Sequence, residues 1–246
     1  MPSISTTVTT GDGTCPVTLH TPNGSGPWTA AIMYPDAGGV RPTFQEMAAR
    51  LAGFGHAVLL PDVYYRHGDW QPFTVQTAFS DPGERKRLMG MVGSVTPDMI
   101  ASDAGAFFDF LAGRPEVKGD TFGVCGYCMG GRTSVIVAGR QPDRVAAAGS
   151  FHGGGLVTDD PNSPHLLADR MTATVYVAGA KNDHGFTAEN AETLDKALTA
   201  AGVEHTIEFY PAAHGFAVPD NPPYDQKAAE RHWIALQELF EAALPS

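Results

Sequence analysis

The sequence predicts an α/β fold, a mostly parallel central sheet with helices on both faces. Two observations carry this. Short apolar runs of strand length alternate with longer segments of helical periodicity along most of the chain, which is how successive strand–helix–strand units read. One of the apolar runs, Thr121–Cys125, passes through Gly126-Tyr-Cys-Met-Gly130 straight into a helical segment. No repeat, low-complexity tract or linker divides the 246 residues, so residues 1–246 are read as a single domain.

The elements follow in order. Ile4–Thr9 and Thr14–His20 read as strands around the turn Thr10-Gly-Asp-Gly13, and Ala30–Tyr34 as a buried strand stopped by Pro35. Thr43-Phe-Gln-Glu46 has the form of a capping box and predicts a helix to about Gly53. Ala57–Leu60 is the next strand. Residues 62–95 are rich in Gly, Pro and charge and read as an excursion or lid with short helices at most. Beyond it come a helix over Asp98–Ala112, the strand Thr121–Cys125 and a helix over Met129–Gly139. Ala146–Phe151 and Thr174–Gly179 are strands, Thr187–Ala201 a helix, and His205–Tyr210 a strand. A helix over Tyr224–Leu244 closes the chain, with Ala229, Trp233, Leu236, Phe240 and Ala243 on one stripe.

Composition narrows the function classes. Apolar residues make up 43% and charged residues 17%, an ordinary globular balance. The net charge of −11 argues against a nucleic-acid partner, which calls for a basic face. The first ten residues carry no basic stretch followed by an apolar core, so no secretory signal is read there. No run of about 18 apolar residues occurs, so no membrane span is expected. Three cysteines, Cys15, Cys125 and Cys128, without a signal read as a reduced, cytoplasmic protein. The oligomeric expectation is a monomer or small homo-oligomer.

The stretch Gly126-Tyr-Cys-Met-Gly130 is the most informative. It is a G-x-nucleophile-x-G pattern with Cys in place of Ser, set between strand and helix. Side chains on the flanking residues would clash in so tight a turn, which explains the glycines. Cys128 then stands at a helix N-terminus, whose partial positive charge favours a thiolate, and the Met129 N–H points where an oxyanion would form. Two other readings remain: a buried structural Cys in a glycine-rich turn, and a redox pair Cys125-Gly-Tyr-Cys128. Against the redox pair, Cys125 sits inside the apolar strand and Gly130 and Gly131 have no redox purpose.

An acid and a base should follow a nucleophile of this kind in chain order. Asp183 comes just after the strand Thr174–Gly179. His214, in Pro211-Ala-Ala-His-Gly-Phe216, comes just after the next strand. His214 would take the thiol proton and Asp183 would orient the imidazole. A helix-capping Asp and a solvated loop His are the plainer alternatives. His152, His165, His184 and His205 show no metal-binding spacing, and no metal site is expected.

Together these stretches resemble the dienelactone hydrolase family, α/β-hydrolases with a Cys nucleophile. The matches run from Tyr34 to Phe216. The resemblance implies a cofactor-independent hydrolase of a small-molecule ester or lactone, with Cys128, Asp183 and His214 as the triad. It places Asp36, where the family usually has Glu, beside the thiol as an activating carboxylate. The Ala37 N–H is then the second oxyanion donor beside Met129. Arg87 matches one of the arginines that hold a substrate carboxylate in the family, Met91 replaces an aromatic, and Val218 replaces the second arginine. The substrate-binding candidates are Arg87, Tyr127 and Phe216. An apolar pocket could draw on Phe44, Tyr64, Tyr65, Trp70, Phe73, Phe79 and Phe216. A thiol redox protein, or a binding protein that kept the fold without catalysis, are the alternatives.

Overall fold

A hairpin opens the chain. β1 (Ser3–Thr10) and β2 (Gly13–His20) pair antiparallel about the turn at Gly11–Asp12. β2 joins β4 (Ala57–Pro61) antiparallel, and from there on every pairing is parallel. In the computed structural model, which describes residues 1–244, the remaining strands are β3 (Ala30–Tyr34), β5 (Phe122–Tyr127), β6 (Val145–Phe151), β7 (Thr174–Ala180) and β8 (His205–Tyr210). The sheet order is β1-β2-β4-β3-β5-β6-β7-β8. β2 alone runs against the other strands, in keeping with the mostly parallel sheet expected.

The central strands β3, β4 and β5 are buried at every residue, as they must be when helices cover both faces. Alternate residues feed two cores. Phe122 and Val124 of β5 join one, under the helices α3 (Pro97–Ala112), α4 (Met129–Arg140) and α5 (Ala188–Ala200). Cys125 and Tyr127 join the other, under α1 (Pro42–Ala52) and α6 (Gln226–Ala243). The α6 stripe packs as its 3.6 period dictates, with Ala229, Trp233, Leu236 and Phe240 buried.

Two elements differ from expectation. The first helix does not start at a Thr43 capping box. Its N-cap is Arg41 in extended conformation, without a side-chain cap bond, and Pro42 takes the first turn. Proline's fixed φ suits that position and pushes the residue before it out of the helical region. The 62–95 excursion holds more helix than expected. After a short 3₁₀ turn at Tyr65–His67 comes α2 (Pro82–Ser94), 13 residues long, whose N-cap Asp81 accepts the Glu84 N–H. Only Leu88 and Met91 of α2 are buried, so it has no apolar stripe to reveal it.

A small third core lies over the C-terminal ends of the strands. Ala37, Tyr64, Phe73, Ala78, Leu88 and Met91 form it, with Trp70 and Met129 packed against it. It is the roof of the site described next, and ligands of open α/β sheets bind at this end.

Candidate active site

β5 delivers Cys128 at its C-terminal end, and α4 begins at the next residue. Cys128 has φ 53° and ψ −113°, a left-handed conformation that costs a non-glycine residue about 1–3 kcal/mol. The neighbours make the turn possible. A Cβ at Gly126 would lie 2.0 Å from the Gly130 carbonyl oxygen, and one at Gly130 would lie 2.2 Å from the Tyr34 carbonyl oxygen. No side chain fits at either place. The Cys128 N–H donates to the Phe151 carbonyl at 3.1 Å, which ties the turn to β6. Cys128 is partly exposed, whereas Cys15 and Cys125 are buried.

The loops after β7 and β8 bring Asp183 and His214 together. His214 Nδ1 lies 2.6 Å from Asp183 Oδ2, and Asp183 Oδ1 accepts the Gly185 N–H at 2.8 Å. Burial raises the Asp183 pKa, but the His214 and Gly185 hydrogen bonds outweigh it, and the net shift is downward. Burial opposes the charge on His214 too. The Asp183 bond and the nearby Cys128 thiol prevail, and its pKa rises to about 10. Cys128 and His214 line the same cavity. A thiol, an imidazole and a carboxylate in this succession can pass a proton from sulfur to nitrogen and present the sulfur to a carbonyl carbon.

The turn after β3 forms the facing wall. The Gly39 N–H donates to the Asp36 carbonyl at 2.9 Å, and the Gly38 N–H donates to Asp36 Oδ1 at 2.9 Å. The expected contact between Asp36 and the thiol is not made. Arg41 donates to both carboxylate oxygens at 2.7 and 3.0 Å, and Asn221 adds a third partner at 3.2 Å. The Asp36 side chain is only 6% exposed, and a buried carboxylate takes the strongest donors within reach.

The cavity measures about 470 Å3 and is bounded by Ala37, Val75, Ala78, Phe79, Leu88 and Pro222 besides Cys128 and His214. The three expected substrate contacts lie elsewhere. Tyr127 is fully buried below the elbow, its hydroxyl 3.1 Å from His232 Nε2 on α6, because strand alternation turns it away from the Cys128 end. Phe216 is fully buried against Tyr210 and His152. Arg87 bonds Glu84 and the Gln71 carbonyl and lies 3.8 Å over the Phe73 ring, while its neighbour Leu88 faces the cavity. Of the seven aromatics considered, Phe79 alone is among the lining residues.

The sequence reading missed His152. It follows β6 with φ 40°, and its ring centroid is 5.1 Å from that of His214. Neither of its ring nitrogens has a hydrogen-bond partner among the described residues, and burial drives its pKa well below the usual histidine value. Nothing in the sequence around it distinguishes it from the other histidines. Among the described residues, no three His, Cys, Asp or Glu side chains are grouped to hold a metal ion, and no helix is long and apolar enough to cross a membrane.

Comparison with known proteins gives the family. The model of the dienelactone hydrolase family matches residues 16–244. The chain belongs to the dienelactone hydrolase family. It is a hydrolase acting on ester or lactone bonds, on the α/β-hydrolase fold. It is 28% identical to a carboxymethylenebutenolidase of Rhodococcus opacus over 94% of this chain and 88% of that protein. Among solved structures, a dienelactone hydrolase-like promiscuous phosphotriesterase from metagenomic libraries shares 26% identity and a TM-score of 0.78, covering 99% of both chains. A Klebsiella pneumoniae structure shares the fold at a TM-score of 0.82 and 23% identity, covering 98% of both chains.

Proposed function

We propose that this family member hydrolyses neutral esters or lactones with an apolar acyl part, by acyl transfer through Cys128. One observation carries the reading above the others: the residue at the strained turn shares a cavity with a histidine that is bonded to a carboxylate. His214 takes the thiol proton. The sulfur attacks the carbonyl carbon, and the N–H groups of Ala37 and Met129 stabilise the oxyanion. The C–O bond breaks, and His214 returns the proton to the departing alkoxide. Water, deprotonated by His214, then attacks the thioester and releases acid and free thiol. Asp183 holds the imidazole tautomer throughout.

The preference for neutral substrates rests on where the cations are. Val218 is fully buried in a core. Arg41 is committed to Asp36 and Asp220, Arg66 to Asp12 and Asp103, and Arg87 to Glu84. The lining includes no arginine or lysine. A substrate carboxylate would find no charged donor and would meet the carboxylate of Asp36 on the wall.

The test is a panel of p-nitrophenyl esters and small lactones with wild type, Cys128→Ala and Asp183→Asn. Turnover is expected for wild type, none above background for Cys128→Ala, and a fall of about a hundredfold or more in kcat for Asp183→Asn, since a misheld tautomer is costly in such triads. Retained activity in Cys128→Ala removes the nucleophile from the mechanism.

A further inference from the structure

We infer that Tyr64 is a positioning residue for the oxyanion hole, its buried hydroxyl holding the two donor residues against each other; this rests on the acyl-transfer reading above. The hydroxyl donates to the Ala37 carbonyl at 2.8 Å and lies 3.5 Å from Met129 Sδ. One atom thus touches both residues proposed as oxyanion donors, although they come from turns after different strands. Tyr64 is fully buried. Burial, with Asp36 and Cys128 adding to it, pushes the phenol upward from its ordinary pKa, so the group stays a neutral donor.

The ring is fixed as firmly as the hydroxyl. The Tyr64 N–H donates to Asp62 Oδ1 at 2.9 Å, and the Trp70 indole N–H donates to the same carboxylate at 3.0 Å. Trp70 meets the Tyr64 ring edge-on at 5.4 Å. Both rings lie on Gly39, where φ is +72° and an added Cβ would come within 2.5 Å of the indole and 3.2 Å of the Tyr64 ring. Gly39 closes the Asp36–Gly39 turn that carries Ala37. The segment after β4 therefore buttresses the oxyanion turn at the Ala37 carbonyl and at Gly39. Donors fixed in advance toward a developing charge are worth far more than donors that must reorient.

Tyr64→Phe keeps the ring and removes the hydroxyl. Two reactions of the same enzyme separate positioning from general damage. Ester hydrolysis builds an oxyanion; alkylation of Cys128 by iodoacetamide is a displacement at carbon that builds none. In Tyr64→Phe, kcat on a p-nitrophenyl ester is expected to fall about tenfold with KM within about twofold, the scale of a donor misplaced rather than removed. The alkylation rate per folded thiol is expected to stay within about twofold of wild type, and a trifluoromethyl ketone that mimics the tetrahedral state to bind about tenfold more weakly. Unchanged kcat, or alkylation falling in step with hydrolysis, overturns the inference. If Tyr64→Phe yields no folded protein, Trp70→Phe reports the same signature, and an equal loss in both reactions overturns it there. Activity surviving in Cys128→Ala would instead remove the acyl-transfer reading, so the two failures are distinguishable.

Discussion

The carboxylate of Asp36 and the guanidinium of Arg41 meet as a two-pronged pair, with Nη1 to Oδ1 at 2.7 Å and Nη2 to Oδ2 at 3.0 Å. The other edge of the same guanidinium holds Asp220 at 2.7 and 2.8 Å. Asp36 belongs to the turn after β3 and Asp220 to the loop after His214, so Arg41 ties opposite walls of the cavity together. The arrangement explains why the carboxylate is withdrawn from the thiol. Removing one partner of a buried pair leaves an uncompensated charge and costs about 3–5 kcal/mol. Arg41→Gln is expected to lose stability on that scale in urea unfolding at neutral pH. A loss under about 1 kcal/mol, the worth of an exposed pair, would show that the strut is idle.

The committed arginines predict a charge preference. A buried carboxylate deprived of a charged hydrogen bond forfeits about 1.5–3 kcal/mol, or roughly tenfold to a hundredfold in kcat/KM. Neutral esters are therefore expected to be the better substrates by that margin over an anionic lactone such as dienelactone. A native enzyme that prefers the anion contradicts the proposed cavity chemistry.

The thiols should differ in reactivity. Cys125 is fully buried in β5, and burial pushes its thiol pKa far up. Cys15 is likewise buried, with its thiol raised by burial and by Asp103 and Asp62. Brief iodoacetamide treatment of the native protein is expected to give one adduct, on the peptide containing Cys128. A reversible Cys125–Cys128 disulfide under mild oxidation would revive the redox reading.

Two buried histidines predict acid sensitivity. Burial lowers the His232 pKa to about 3 and that of His152 well below the usual value. Below the unfolded value of about 6.5 the unfolded chain binds protons that these native rings refuse. Their cost is thus absent above that pH and grows as pH falls toward the folded values. Between pH 7.5 and 5 His232 removes about 2 kcal/mol, at roughly 1.4 kcal/mol per unit below 6.5, and His152 acts in the same direction. His232→Phe is expected to flatten the decline in urea-derived stability by about that amount. An identical decline in wild type and variant would assign the effect to other groups.

How much of this was legible in the sequence follows from the range of each signal. The elbow announced itself because Gly126 and Gly130 stand where close approach forbids side chains. Chain order placed Asp183 and His214, since each comes directly after an apolar run. The cavity contacts did not follow, because they depend on which way a side chain leaves its element. Tyr127 is adjacent to Cys128 in sequence, yet a strand turns neighbours to opposite faces. On the helix α2 the turn of about 100° between successive residues separates Arg87 from Leu88. The sequence shows short helices at most over 62–95, because the 13-residue α2 packs with two residues only. The bond from Tyr64 to Ala37 and the tie from Arg41 to Asp220, 179 positions apart, exist only once the sheet has formed.

The most direct test of the Cys128 mechanism is to trap its acyl-enzyme. Wild type is mixed with a p-nitrophenyl ester, quenched in acid within the first turnovers, digested and examined by mass spectrometry. The mechanism predicts the acyl mass on the Cys128 peptide, with a burst of p-nitrophenol equal to the number of reactive thiols. Full turnover with no adduct on Cys128, or with the adduct on another residue, would contradict it.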